Sequence, residues 1–201
     1  MLFQSLSIAA ILASVHTAFA LPDVTIKALP AACSSYPQYD ESSNTAGPWI
    51  VQLANSDNAN IEGWGDSVTY SYSYSPATGP VMRWGHCSND TLEVRTDTAL
   101  TRAGAPTNTE WTPLVLSPYP YDAGLMYLID GDAPTLYEHY INGTKQDGYF
   151  IGGYDTTTWG VQWQEADGPG SYNQPYFYLR LLPEGQELKA NETKSFLKIY
   201  A

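Results

Sequence analysis

Strict alternation between large apolar and small polar side chains is the feature that most limits the folds open to this chain. Residues 68–75 read VTYSYSYS, in which Val68, Tyr70, Tyr72 and Tyr74 are separated by Thr or Ser. Because side chains alternate sides along an extended backbone, this spacing places the three tyrosines on one face of a β-strand. A helix would distribute the same rings around its axis. We expect these tyrosines to face the interior or a partner subunit.

The same period of two recurs along the chain. Trp49, Val51 and Leu53 share one face of a predicted strand, and Trp159, Val161 and Trp163 share another. Further strands are predicted over residues 81–84, 92–95, 111–116, 125–129, 135–141, 149–151, 176–182 and 196–200. No stretch of helical length carries apolar residues at i, i+3 and i+4 without Gly or Pro between them. The predicted fold is all-β, an antiparallel sandwich or barrel, and periodicity does not decide between the two.

The first twenty residues differ in character from the rest. Residues 1–20 contain no charged side chain, include a short apolar run and end in Ala-Phe-Ala. This pattern is typical of a secretory signal peptide with a small-x-small cleavage site. We expect residues 21–201 to form a single secreted domain, with an irregular N-terminal arm over about residues 21–46 that is rich in Pro, Ser and Asn.

Two cysteines and three sequons agree with the secretory route. Cys33 and Cys87 are the only cysteines of the chain, so an oxidising compartment would join them in one disulfide. Asn89, Asn142 and Asn191 each begin an Asn-x-Thr acceptor sequence. We expect glycosylation at these three positions, each in a solvent-facing turn.

The charge balance excludes some classes of partner. Nine Lys and Arg face twenty-one Asp and Glu, which gives a net charge of −12. Nucleic acids and anionic membrane surfaces are therefore not expected partners. No later segment is apolar over the length that a membrane span requires. Homo-oligomerisation is left open by the sequence.

Motifs for metal or nucleophilic catalysis are missing from the sequence. The mature chain has two histidines, His86 and His139, with no metal-ligand spacing, and it has no G-x-S-x-G. Asp130-Gly131-Asp132 is predicted to be a turn, because the remaining ligands of a calcium loop are absent. Carboxylates such as Glu138 fit an exposed strand face. We therefore expect no metal and no cofactor.

Aromatic content is what distinguishes this chain. Six Trp and sixteen Tyr all lie in the mature region. Such rings bury large flat areas and keep one polar atom that can donate a hydrogen bond, so inward-facing rings can line a pocket for an apolar small molecule. Strand position and donor capacity select the candidate pocket residues Trp84, Trp111, Tyr127, His139, Trp159, Trp163, Tyr176 and Tyr178.

Several stretches resemble a group of small secreted fungal β-proteins. They are AACSSYPQYD, LSPYPYDAGLMYLIDGDAPTLYEHYINGTKQDGYFIGGYD, TTWG, PYFYLRLL and FLKI, and the resemblance covers almost the whole mature chain. Members of this group include hetero-Diels-Alderases that join a tropolone-derived quinone methide to humulene-type terpenes. The resemblance implies a cofactor-independent pericyclase of fungal secondary metabolism. No catalytic residue of the group is carried over to this sequence.

Two other functions fit the same residues. A non-enzymatic cell-wall or glycan-binding protein, or an effector, would display Tyr70, Tyr72 and Tyr74 as a stacking platform. A lipocalin-like carrier is suggested by Gly47-Pro48-Trp49 near the start of the first predicted strand, although no C-terminal helix follows. A closed apolar cavity would favour the pericyclase or the carrier, and a flat exposed row of rings would favour the glycan binder.

Overall fold

A computed structural model provides the structure of the chain. It describes residues 20–63, 74–75, 79–80, 83–96, 111–117, 123–127, 130–164 and 176–200. The predicted signal peptide up to residue 19 lies outside these residues, and so do Tyr70 and Tyr72 of the tyrosine stripe. Tyr74 belongs to a short strand, but its side chain is also outside the described part.

Fifteen strands and one short 3₁₀ turn, Cys33–Ser35, make up the described structure. The strands are β1 (Thr25–Ala28), β2 (Tyr39–Asp40), β3 (Thr45–Ala54), β4 (Tyr74–Ser75), β5 (Gly79–Pro80), β6 (Arg83–Ser88), β7 (Thr91–Thr96), β8 (Thr112–Ser117), β9 (Gly124–Tyr127), β10 (Thr135–Ile141), β11 (Thr144–Lys145), β12 (Tyr149–Gly152), β13 (Thr158–Gln164), β14 (Tyr176–Leu181) and β15 (Glu192–Tyr200). The predicted all-β class is confirmed.

Eight of these strands close into an antiparallel β-barrel. Around the barrel the order is β3, β6, β7, β8, β9, β14, β13 and β15, and β15 pairs back with β3. The closing ladder places Leu197 opposite Leu53 and Ile199 opposite Val51. Closure removes the two free edges that an open sheet would leave. Of the two architectures that the sequence left open, the structure is the barrel.

A smaller sheet extends from the outside of β15. β12 pairs with β15 beyond the end of β13, β10 pairs with β12, and β1 and β11 pair with β10. β1 was expected to be part of an irregular arm. The arm instead contributes a strand, because Thr25 to Ala28 find free backbone partners along Tyr137 to Tyr140 of β10.

The disulfide and the hairpin turns form where the sequence indicated. Cys33 and Cys87 are bonded and fully buried, which ties the arm to β6. Asn142 and Gly143 have positive φ and connect β10 to β11, as the Asn-Gly dipeptide predicts. The sequon residues Asn89, Asn142 and Asn191 are all exposed and all have positive φ. Among the described residues, no helix is long and apolar enough to cross a membrane.

Candidate ligand site in the barrel

The two ends of the barrel differ in how its strands are connected. At the end where β3 begins, which we call the disulfide end, short connections join β6 to β7 and β8 to β9. At the opposite end, which we call the loop end, β3, β7 and β13 finish and the segments 55–82, 97–111 and 165–175 depart. The longest connections between neighbouring barrel strands therefore leave from one end. Binding sites of β-barrels commonly lie at such a mouth.

Trp49 fills the disulfide end. Its side chain is 1% exposed, its indole N–H donates to the carbonyl oxygen of Pro37 at 2.9 Å, and the ring of Tyr36 stacks on it with centroids 5.2 Å apart. Gly85 lies opposite Trp49 in the ladder, and a Cβ at that position would come within 2.7 Å of the indole. Glycine is therefore required at residue 85 for the indole to enter the barrel.

Trp159 closes the same region from the other side of the barrel. It is fully buried, and its indole N–H donates to the carbonyl oxygen of Ile151 at 2.8 Å. Leu181 pairs with it across the β13–β14 ladder. Because the indole N–H groups of Trp49 and Trp159 both donate to backbone carbonyl oxygens, these indoles serve as structural plugs.

The wall between the two ends is apolar. Its inward-facing residues in the described strands belong to one continuous core cluster. They include Val51, Leu53, Leu114, Leu116, Leu125, Val161, Leu179, Leu197 and Ile199. An eight-stranded barrel is just wide enough either to be filled by such side chains or to hold one small ligand.

Two of the candidate pocket residues, Trp159 and Trp163, lie on the inner face. They alternate with outward-facing residues along β13, and Val161 between them is a core residue. Trp163 is the one nearer the loop end, and it is half-buried. Tyr127 pairs with Leu114 in the backbone ladder, although its side chain lies outside the described part.

Other candidates lie on the outer face of the wall. Tyr178 pairs with Gln162, is buried, and packs its hydroxyl against Gly124. Trp111 stacks on His86 with ring centroids 4.5 Å apart. The structure therefore does not bring these two rings together with Trp163. Trp84 and Tyr176 lie in β6 and β14, and their side chains are outside the described part.

His139 lies in the small outer sheet, away from the barrel interior. It is 1% exposed, its imidazole stacks on Phe150 with centroids 3.5 Å apart, and it meets Phe196 edge-on at 4.6 Å. Its Nε2 forms a hydrogen bond with Oγ1 of Thr157 at 2.8 Å. Burial lowers the pKa of His139 from 6.5 to about 4, so the imidazole is neutral at physiological pH.

The buried imidazole predicts a loss of stability in mild acid. Between pH 6.5 and about 4, the unfolded chain binds a proton at His139 that the folded protein excludes. We expect this effect to lower the free energy of unfolding by up to roughly 3 kcal/mol across the window, and this part of the fall to be absent in His139→Phe. Urea denaturation at several pH values measures it, and an unchanged pH slope in the variant would contradict the assignment.

A buried ion pair that no sequence pattern predicts lies on the outer face of the barrel. Arg180 and Glu192 form a two-pronged contact, Nε to Oε1 and Nη2 to Oε2, both at 2.7 Å. Their side chains are 2% and 0% exposed, and Nη2 also donates to the carbonyl oxygen of Glu187 at 2.9 Å. Gly160 leaves the space for the Glu192 carboxylate, which a Cβ there would contact. The pair holds the segment between β14 and β15 against the barrel.

The segment Asp130-Gly131-Asp132, predicted to be a turn, instead forms an isolated β-bridge that returns the chain to the barrel wall. Asp132 exchanges two backbone hydrogen bonds with Leu116, and its carboxylate accepts the hydroxyl of Tyr154 at 2.6 Å. In the part of the chain that the structure describes, no three His, Cys, Asp or Glu side chains gather as a metal site would require.

Comparison with known proteins gives no assignment. No protein-family model matches the chain, and no curated protein matches its sequence.

Proposed function

We propose that the protein binds an apolar small molecule inside the barrel, with entry at the loop end. The observation that carries this proposal is the difference between the two ends of the barrel. Trp49 and Trp159 plug the disulfide end, while the longest connections between neighbouring strands leave from the loop end. Burial of the ligand's own apolar surface supplies the binding energy, since each Å² of apolar surface removed from water contributes about 25 cal/mol. Trp163, half-buried on the inner face near the loop end, is the contact residue that we assign to the ligand.

The activity that we propose is a hetero-Diels-Alder addition, in line with the fungal proteins that the sequence resembles. A tropolone-derived quinone methide provides the four-atom oxygen-containing diene, and an alkene of a humulene-type terpene adds across it. One C–C and one C–O σ bond form, while the two π bonds of the diene and the π bond of the alkene are replaced by a single π bond. No atom leaves, and no proton or electron is exchanged. The protein's part is to hold two apolar partners in a reactive pose and to donate a hydrogen bond to the diene oxygen.

Replacing Trp163 by alanine tests this function. We expect about a tenfold or greater loss of the protein-dependent rate of adduct formation, because each 1.4 kcal/mol of lost contact with the transition state costs a factor of ten. The purified protein is incubated with humulene and the quinone methide, and the adducts are quantified by chiral chromatography. Trp111→Ala is the matched control, since Trp111 is also half-buried but stacks on His86 outside the barrel.

The outcomes separate catalysis from transport. A stereoselective rate enhancement that falls in Trp163→Ala and survives in Trp111→Ala supports the pericyclase. Adducts identical in amount and stereochemistry to a protein-free control overturn it. If humulene then still binds to the protein, the carrier function suggested by Gly47-Pro48-Trp49 replaces the pericyclase. The strand order differs from the up-and-down barrel of lipocalins, because β14 comes before β13 in the order around the barrel.

Secretion and glycosylation belong to the same proposal. The disulfide between Cys33 and Cys87 fits a protein that matures in an oxidising compartment. Exposed turns at Asn89, Asn142 and Asn191 leave room for glycans. The cell-wall alternative depends on Tyr70, Tyr72 and Tyr74, whose side chains lie outside the described residues.

A further inference from the structure

A cleft lies on the outside of the barrel. It has a volume of about 590 Å³ and is bounded by Pro37 of the arm, by residues 145–149, which run from β11 to β12, and by the end of β15. Clefts of roughly 300–1,000 Å³ are of the size that proteins use for small ligands. The cleft is formed by strands that continue outside the barrel, so it is separate from the interior of the barrel.

Two phenol rings line this cleft, and each has a lysine nearby. Lys198 places its Nζ 5.0 Å from the ring centroid of Tyr200, and Lys145 places its Nζ 5.5 Å from that of Tyr149. Tyr200 is 41% exposed, which makes it one of three large hydrophobic side chains exposed in the described part. An exposed ring held at the rim of a cleft can stack against a ligand.

The charges in the cleft occur as opposite pairs. Asp147 has a fully exposed carboxylate 3.5 Å from Nζ of Lys198. Lys145 donates to the Glu138 carboxylate at 2.6 Å, and the hydroxyl of Tyr140 donates to the same carboxylate at 2.7 Å. An anionic ligand would meet the carboxylate of Asp147, and a cationic ligand would meet the ammonium of Lys198. The cleft therefore favours a neutral ligand whose polar groups both donate and accept hydrogen bonds.

We propose that this cleft binds a neutral carbohydrate, a mono- or disaccharide unit. Hydroxyl groups are the ligand groups that can donate to Asp147 and accept from Lys198 at the same time. The C–H face of a pyranose ring is apolar and weakly positive, so it stacks on the electron-rich face of Tyr200. Gly148 lets the aliphatic stem of Lys198 lie against the backbone, which holds its ammonium beside the cleft. The inference does not depend on the ligand proposed for the barrel.

The test is a titration with glucose, cellobiose and N,N′-diacetylchitobiose, followed by amide chemical shifts. We expect at least one of these saccharides to bind with a Kd of about 0.1–5 mM, and glucuronate and glucosamine to bind more weakly than glucose. Tyr200→Ala and Asp147→Ala should each weaken binding about fivefold or more, equivalent to roughly 1 kcal/mol. Tyr154→Ala is the matched control, since Tyr154 is 55% exposed and bonds to Asp132 instead.

Three results would overturn the inference. The first is the absence of any chemical-shift change with the neutral saccharides at about 20 mM, a concentration well above the expected Kd. The second is saccharide binding that survives both Tyr200→Ala and Asp147→Ala. The third is tighter binding of glucuronate or glucosamine than of glucose. Circular dichroism confirms that each variant is folded. Trp163→Ala, which tests the barrel ligand, should leave saccharide binding unchanged, so the two proposals can fail independently.

Discussion

Replacing Arg180 by methionine is expected to lower the free energy of unfolding by about 3–5 kcal/mol. The change leaves the Glu192 carboxylate, which is 0% exposed, without its charged partner. The backbone N–H of Lys189, which donates to Oε2 of Glu192 at 2.7 Å, is too weak a substitute for a two-pronged guanidinium. Urea denaturation followed by circular dichroism measures the loss.

Two further variants show whether burial is the cause. The double change of Arg180 and Glu192 to methionine removes the unpaired buried carboxylate as well, so it should lower the free energy of unfolding by less than Arg180→Met alone. Lys145→Met breaks an ion pair to Glu138 in which the lysine is 46% exposed, and it should cost below about 1 kcal/mol. If Arg180→Met were no more costly than Lys145→Met, the pair would not stabilise the fold as we describe.

Replacing Trp159 by alanine is expected to cost about 3–5 kcal/mol as well. The indole is fully buried in the core, so its removal leaves a cavity at the disulfide end of the barrel and leaves the carbonyl oxygen of Ile151 without its donor. Trp159→Phe keeps most of the volume and loses only the hydrogen bond, so we expect a smaller loss of about 1–2 kcal/mol. Thermal and urea unfolding of both variants measure these values.

An outer-face tryptophan provides the comparison for this prediction. Trp111 is half-buried and stacks on His86, and its replacement by alanine removes less buried surface than that of Trp159. Equal losses for Trp159→Ala and Trp111→Ala would mean that the disulfide end is not closed by a tightly packed indole.

The alternation of side chains was enough to predict most strands. Trp159, Val161 and Trp163 fall on one face of β13 as their spacing requires, and the Asn142-Gly143 turn follows from local chemistry. These features depend on neighbouring residues only, so a single sequence contains them. The strand β1 was missed because its residues 25–28 alternate weakly and pair only with the distant β10.

The closure of the barrel could not be predicted in the same way. β9 pairs with β14 instead of β10, the strand that follows it along the chain, and β15 pairs with β3 from the other end of the chain. Both pairings join residues far apart in sequence, and periodicity carries no information on which strands meet. Arg180 and Glu192 are brought together because β14 and β15 both pair with β13, so their contact had no local signal either.

The candidate pocket shows the limit of a period-two argument most clearly. Alternation assigns Tyr176 and Tyr178 to one face of β14 and Leu179 to the other, but it does not say which face points inward. The ladder between Val161 and Leu179 settles that point, because both are core residues. Tyr178 therefore lies outside, where Gly124 makes room for its hydroxyl.

The location of a bound terpene tests the central claim most directly. Intermolecular nuclear Overhauser effects between humulene and the isotope-labelled protein report which side chains lie within about 5 Å of the ligand, close to van der Waals contact. Our account predicts that humulene enters from the loop end and gives contacts with the indole of Trp163 and the methyl groups of Val161 and Leu179. Contacts confined to outer-face residues such as Trp111, or no contacts at saturating humulene, would contradict it.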